Sequence, residues 1–183
     1  RQVSRWAQQL GNASAEEGAL RLIFEIDPTD FISAFRLVEM LEFQNRFGDA
    51  AQALKDIDLA SSDLALARRG EIKNRRARAL ERSGEEQRAA EVYLDAFALD
   101  PADDDALAAL RRLLSARGDW VALISVLEQR AESEAGTEKG HAAWLEGAQI
   151  ARSKSHDNAV AKRLAQRVLD EDPAQIGALD VLE

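Results

Sequence analysis

Apolar residues along the chain recur three and four positions apart, the spacing that lines one face of a helix. Leu107, Leu110 and Leu114 form one such stripe, and Ala89, Tyr93 and Ala96 another. The stripes are cut at regular points. Gly11-Asn12, Gly48-Asp49, Gly84-Glu85 and Gly118-Asp119 each break an apolar pattern. Glycine is what a helix needs just past its end, where the chain turns with positive φ. Asp27-Pro28, Asp100-Pro101 and Asp172-Pro173 make further breaks, because proline cannot continue a helix. The pattern predicts roughly ten to eleven helices. Turns are expected near 11–14, 27–29, 46–49, 59–62, 83–85, 100–103, 117–119, 134–139, 153–157 and 172–174. The segment from Glu134 to Gly140 reads as the loosest and as the expected hinge.

The prolines measure a repeat. They lie 73 and 72 residues apart, and half that spacing is close to the ~34 residues of a helix–turn–helix repeat. The best-preserved unit runs from Gly70 to Asp103. With Gly70 as position 1, Ala77 falls at 8, Leu80 at 11, Gly84 at 15, Ala89 at 20, Tyr93 at 24, Ala96 at 27 and Pro101 at 32. This resembles the tetratricopeptide repeat (TPR), which carries small residues at 8, 20 and 27, large ones at 11 and 24, Gly at 15 and Pro at 32. Lys73 and Arg76, at positions 4 and 7, depart from that pattern. Packing explains it: the small residues let helices approach closely, and Leu80 and Tyr93 fill the space between turns. One helix pair cannot bury its stripes alone, so pairs stack.

The neighbouring units follow in register. From Asp104, Leu107, Leu110, Leu114, Gly118, Leu123 and Leu127 fall at 4, 7, 11, 15, 20 and 24, while Arg130 at 27 departs. From Phe31, Leu37, Val38 and Leu41 fall at 7, 8 and 11. Gly48 is then taken as a turn glycine three residues late, with Ala53, Ile57 and Ala60 counted on from it. The unit counted from His141 places Trp144, Ala148 and Ala151 in its first helix. After a turn without Gly and one inserted residue it gives Ala161, Ala165 and Val168. The division is a partial repeat at 1–30, repeats at 31–69, 70–103, 104–139 and 140–175, and the start of another at 176–183. The resemblance implies an all-α, right-handed α-solenoid of antiparallel helix pairs forming a single array.

Composition agrees with helix. The chain holds 34 Ala and 23 Leu against 18 Val, Ile and Thr together, so helix formers dominate and strand formers are scarce. The absence of Cys excludes a disulfide framework, a cysteine nucleophile and a thiolate metal site. The net charge of -9 argues against a dedicated nucleic-acid binder. No apolar stretch approaches the ~18 residues of a membrane span. Heavy use of Ala, Arg, Asp and Leu points to a GC-rich bacterial genome. The chain begins at Arg1 and stops inside the apolar pattern of Ile176–Glu183, and is read as a piece of a longer protein. No compartment follows from these features.

Candidate chemistry is sparse. There is no HExxH pair, no GxSxG, no GxGxxG and no GxxxxGK[ST]. His141 and His156 read as solvated or helix-end residues. Asp100, Asp103, Asp104 and Asp105 lack the order of a calcium loop and read as an acidic helix start. Trp6, Trp120 and Trp144 read as packing residues. The expectation is a non-enzyme with no metal and no cofactor.

The most uneven feature is basic. Arg68, Arg69, Lys73, Arg75, Arg76, Arg78 and Arg82 fall within 15 residues of an acidic chain. The TPR resemblance places positions 2, 5, 9, 12 and 13 on a concave groove: here Glu71, Asn74, Arg78, Glu81 and Arg82. The preceding unit contributes Ile32, Phe35, Glu39, Glu42 and Phe43, and the following one Asp105, Ala108 and Arg112. Asn74, Arg78, Arg82, Arg112, Phe35 and Phe43 are the candidate peptide-binding residues. Arg78 and Arg82, four apart, share a helix face and suit a carboxylate. The bland alternatives are internal ion pairs for the arginines and core packing for the phenylalanines. The Lys, Asn and Arg set of the chaperone-binding carboxylate clamp is not matched. The expected function is a scaffold binding a peptide or helix of a partner protein. Alternatives are a structural or regulatory segment of a larger enzyme or envelope assembly and, less favoured, an RNA-binding helical repeat. Open repeat ends leave a route to end-to-end self-association.

Overall fold

The structure, a computed structural model, describes residues 13–61 and 64–182, and Trp6 and the Gly11-Asn12 break lie outside them. Ten helices and no strand occur among the described residues. They are α1 (Ala13–Ile26), α2 (Phe31–Phe43), α3 (Phe47–Ala60), α4 (Leu66–Arg82), α5 (Glu86–Phe97), α6 (Asp104–Arg117), α7 (Trp120–Ser133), α8 (Glu138–Ser153), α9 (Asn158–Glu171) and α10 (Ile176–Leu182). The chain forms two compact units, Arg1–Leu99 and Asp100–Glu183. Within each unit, successive helices pack on one another.

Each Asp-Pro turn is built by one device. The carboxylates of Asp27, Asp100 and Asp172 accept from the backbone N–H two residues on, at Thr29, Ala102 and Ala174, at 3.0, 3.1 and 3.1 Å. Proline offers no N–H of its own, so the aspartate takes the next one. Asp30 and Asp103 then cap α2 and α6, and Asp119, Thr137 and Asp157 cap α7, α8 and α9. Such caps satisfy first-turn N–H groups that have no partner inside the helix.

The turns inside the pairs share a second device. Gly84 and Gly118 adopt φ of 85° and 68°. Just beyond them, the N–H of Glu85 and Asp119 returns to the carbonyls of Leu80 and Leu114 at 2.9 Å. The same bond closes α2, from Arg46 N–H to Leu41 O at 2.9 Å, and the left-handed residue there is Asn45 at φ 59°. Gly48 is therefore not the turn residue: α3 begins at Phe47, and Gly48 lies in its first turn. Asn45 is position 15 counted from Phe31, so the unit holds no extra helical turn. Its second-helix core is Ala50, Leu54 and Ile57, each 0% exposed, rather than Ala53, Ile57 and Ala60. In the α8–α9 turn His156 takes the left-handed place at φ 55°. The one inserted residue shows in the return bond, which reaches six residues from Asp157 N–H to Ala151 O at 2.9 Å.

The core is the apolar stripes. Leu41, Leu80, Leu114 and Ala151 at position 11 are all at most 1% exposed, and Trp144 is 3% exposed. Trp120 is half-buried, with Lys154 Nζ 5.8 Å from its ring centroid. Two departures from the repeat pattern, Lys73 and Arg130, form ion pairs. Lys73 Nζ sits 2.7 Å from Asp58 of α3, both largely buried. Arg130, 2% exposed, donates to Pro101 O at 3.1 Å and to Asp104 at 2.5 Å, and lies 2.8 Å from Glu134. The segment 134–140, the expected hinge, is tied down: Thr137 caps Gly140 at 3.1 Å, and Gly136 N–H and His141 both meet Glu171, at 3.0 and 2.6 Å.

These turns and pairs can be tested in three ways. A left-handed residue with a β-carbon costs roughly 1–2 kcal/mol, less for Asn. Asn45→Gly and His156→Gly should each raise the unfolding midpoint, and His156→Val should lower it; urea titration with unchanged m-values checks this. Arg130→Ala should destabilise the protein by about 3 kcal/mol, through a cavity and the lost partners. The Lys139 hydrogen bond and the Arg130 charge hold Asp104 below the usual aspartate range. Its stabilising contribution is therefore full above that range and lost as pH falls through the lowered value. The Tm difference between wild type and Asp104→Asn should shrink from pH 7 to pH 3.

Candidate functional site

The side chains of α2 and α4 meet across a groove in the first unit. Arg75 crosses from α4 to α2, its Nε and Nη2 donating to the two carboxylate oxygens of Glu42 at 3.1 and 2.7 Å. That fork keeps Arg75 firmly protonated, its pKa raised chiefly by the hydrogen bonds to Glu42. The same guanidinium lies 5.9 Å from the centroid of Phe35, which is half-buried.

Two adjoining recesses flank this bridge. One, of about 250 Å³, is lined by Phe35, Glu39, Arg68, Glu71, Ile72 and Arg75. The other, of about 400 Å³, is lined by Glu42, Phe47, Glu71, Arg75, Arg78, Ala79 and Arg82. The guanidinium of Arg82 stacks 3.8 Å from the centroid of Phe47, itself 9% exposed at the start of α3. Among the described residues no carboxylate pairs with Arg82. Arg68 instead pairs with Glu71 at 2.7 Å, both well exposed.

Of the candidate residues, the structure brings Arg78 and Arg82 together in one recess and Phe35 in the next. Asn74 is 8% exposed, so its side chain packs inside the unit rather than facing outward. Phe43 is 90% exposed, so it is not a core residue, and it lines neither recess. Arg112 is an exposed residue of the second unit. Arg75, the bridge, and Phe47, the stacking ring, were not among the expected site residues. A signal for Arg75 exists, since residues 75, 78 and 82 are spaced i, i+3, i+7 on one helix face. Phe47 was hidden by the register set on Gly48.

Elsewhere the acidic and histidine candidates are used by the fold. Asp100 and Asp103 cap backbone N–H groups, and Asp104 pairs with Arg130 and Lys139. No group of three or more His or acidic residues able to hold a metal occurs among the described residues. No helix among them is long and apolar enough to cross a membrane.

Helix pairs turned on a left-handed residue, with small residues at the close contacts, define a TPR-like fold. No family model and no curated protein matches the sequence, but solved structures do. The chain is similar to the crystal structure of MamA protein, at 15% identity and TM-score 0.52, over 96% of this chain and 91% of that one. It is similar to YrrB, described as a TPR protein with an unusual peptide-binding site, at 12% identity and TM-score 0.51, over 98% and 88%. A tetratricopeptide repeat protein from Parabacteroides merdae ATCC 43184 is similar at 14% identity and TM-score 0.50, over 97% and 69%.

The bridge links the two walls of the groove. A double-mutant cycle on Glu42→Gln and Arg75→Met should give a coupling of about 1 kcal/mol in urea unfolding. A coupling near zero would show that the bridge does not order the groove.

Proposed function

We propose that the chain is a non-catalytic protein-interaction scaffold that holds a peptide or helix of a partner protein in the α2–α4 groove. The observation that carries this is the pair of adjoining recesses, whose walls join half-buried Phe35 and buried Phe47 to Arg75, Arg78 and Arg82. An apolar floor with charged edges is what helix-in-groove recognition uses. A peptide-binding site in a protein of similar fold supports the reading. The repeat division at 31–69 and 70–103 is proposed with it, since it makes α2 and α4 the first helices of adjacent repeats. Arg112 and Phe43 are retained only as outlying contacts.

The experiment is capture of the native partner by the longer parent protein, followed by mass spectrometry. Phe35→Ala and Arg78→Glu should each reduce recovery of that partner by about tenfold, with the helical circular dichroism unchanged. If both variants recover it as well as wild type, the groove is not the binding surface.

A further inference from the structure

We propose that the groove selects an acidic segment, an amphipathic helix whose carboxylates meet Arg82 and Arg78. This rests on the groove reading above and adds the chemistry of the partner. The chain as a whole is at -9, yet α4 carries seven basic and two acidic residues. Part of that charge is used within the protein: Lys73 by Asp58, Arg75 by Glu42, and Arg68 by Glu71. The last turn of α4 is different. There Arg82 is exposed but not loose, because its guanidinium face lies on the Phe47 ring.

Stacking through the face leaves the edge of a guanidinium, with its in-plane N–H groups, directed away from the ring. That edge forms paired hydrogen bonds with a carboxylate. Holding the side chain on a buried ring also removes rotamer freedom before any ligand arrives, which lowers the cost of binding. Arg78 lines the same recess one turn earlier. On the partner, Glu residues spaced i, i+4 present carboxylates at matching separation. The recess of about 400 Å³ accommodates such side chains, and Phe35 in the adjoining recess offers a contact for the apolar face of the same helix. A basic partner would meet the anchored Arg82 in this recess and be repelled.

The probe is a fluorescein-labelled helical peptide of about 15 residues, with Leu along one face and Glu elsewhere. A second peptide carries Gln at every Glu position. Fluorescence anisotropy with the full chain should show at least roughly tenfold tighter binding of the Glu peptide, a preference that shrinks as salt rises. Arg82→Gln should abolish most of that preference. Arg82→Lys, which keeps the charge but not the stacked fork, should recover only part of it, and Phe47→Leu should resemble Arg82→Lys. Equal binding of the two peptides overturns acidic selection while leaving the groove reading in place. A full preference in Arg82→Gln overturns the role of Arg82. Binding of neither peptide overturns the inference, and the groove reading is then decided separately by partner capture with Phe35→Ala.

Discussion

One backbone bond governs each helix pair. The carbonyl of Leu41, Leu80, Leu114 or Ala151 lies at the end of a first helix, where no later helical N–H reaches it. Each of these residues is buried, and a buried carbonyl needs a partner. The N–H just past the turn supplies it, and reaches back only if one residue between adopts positive φ. That bond fixes the distance from the last buried residue of one helix to the equivalent core position of the next. Leu41 leads to Ala50, Leu80 to Ala89 and Leu114 to Leu123, nine residues each. In the fourth pair the count from Ala151 to Ala161 is ten, and the return bond is longer by the same one residue. The core register is thus a consequence of turn geometry.

With the register set by turns, single core positions are free to depart from the repeat pattern. Lys73 and Arg130 are the clearest cases. Neither is a surface ion pair of small worth: Arg130 is 2% exposed and its guanidinium is shared among a backbone carbonyl and two carboxylates. A buried charge with fewer partners would be costly. These pairs therefore make the local packing specific: Asp58 accepts a lysine, and Asp104 draws Arg130 and Lys139 to the start of α6.

Much of this was legible in the sequence, and the exceptions have physical reasons. The Asp-Pro turns, the turns at Gly84 and Gly118 and the stripe of Ala89, Tyr93 and Ala96 could be read directly. Gly48 misled because glycine is tolerated inside a helix as well as after it. The error was hard to see, since a slip of three residues rotates a helix by only about 60° from its true face. Ile57 is accordingly buried in both counts. Asn45 and His156 carried the turns unannounced, because asparagine and histidine enter the left-handed region far less often than glycine. At the site, periodicity could put Arg78 and Arg82 on one face, but the Glu42 bridge and the Phe47 ring come from other helices. Sequence spacing within α4 holds no record of them.

The groove combines two kinds of arginine, and the difference between them matters for function. Arg75 is part of the frame: its fork to Glu42 joins the walls, and its charge is answered inside the protein. Replacing it removes a link between the walls together with any contact it makes, so a change in binding would mix the two effects. Arg82 is anchored without being neutralised. The Phe47 ring fixes its direction through a face contact, while its hydrogen-bonding edge is not spent on that contact. An arginine free in solvent would lose up to about 2 kcal/mol of rotamer entropy on meeting a ligand, and the stack removes part of that loss in advance. The turn that places Phe47 at the start of α3 is closed by Asn45 and the Leu41 carbonyl. The conformation of one non-glycine residue therefore sets both the core of its repeat and the orientation of an exposed cation in the groove.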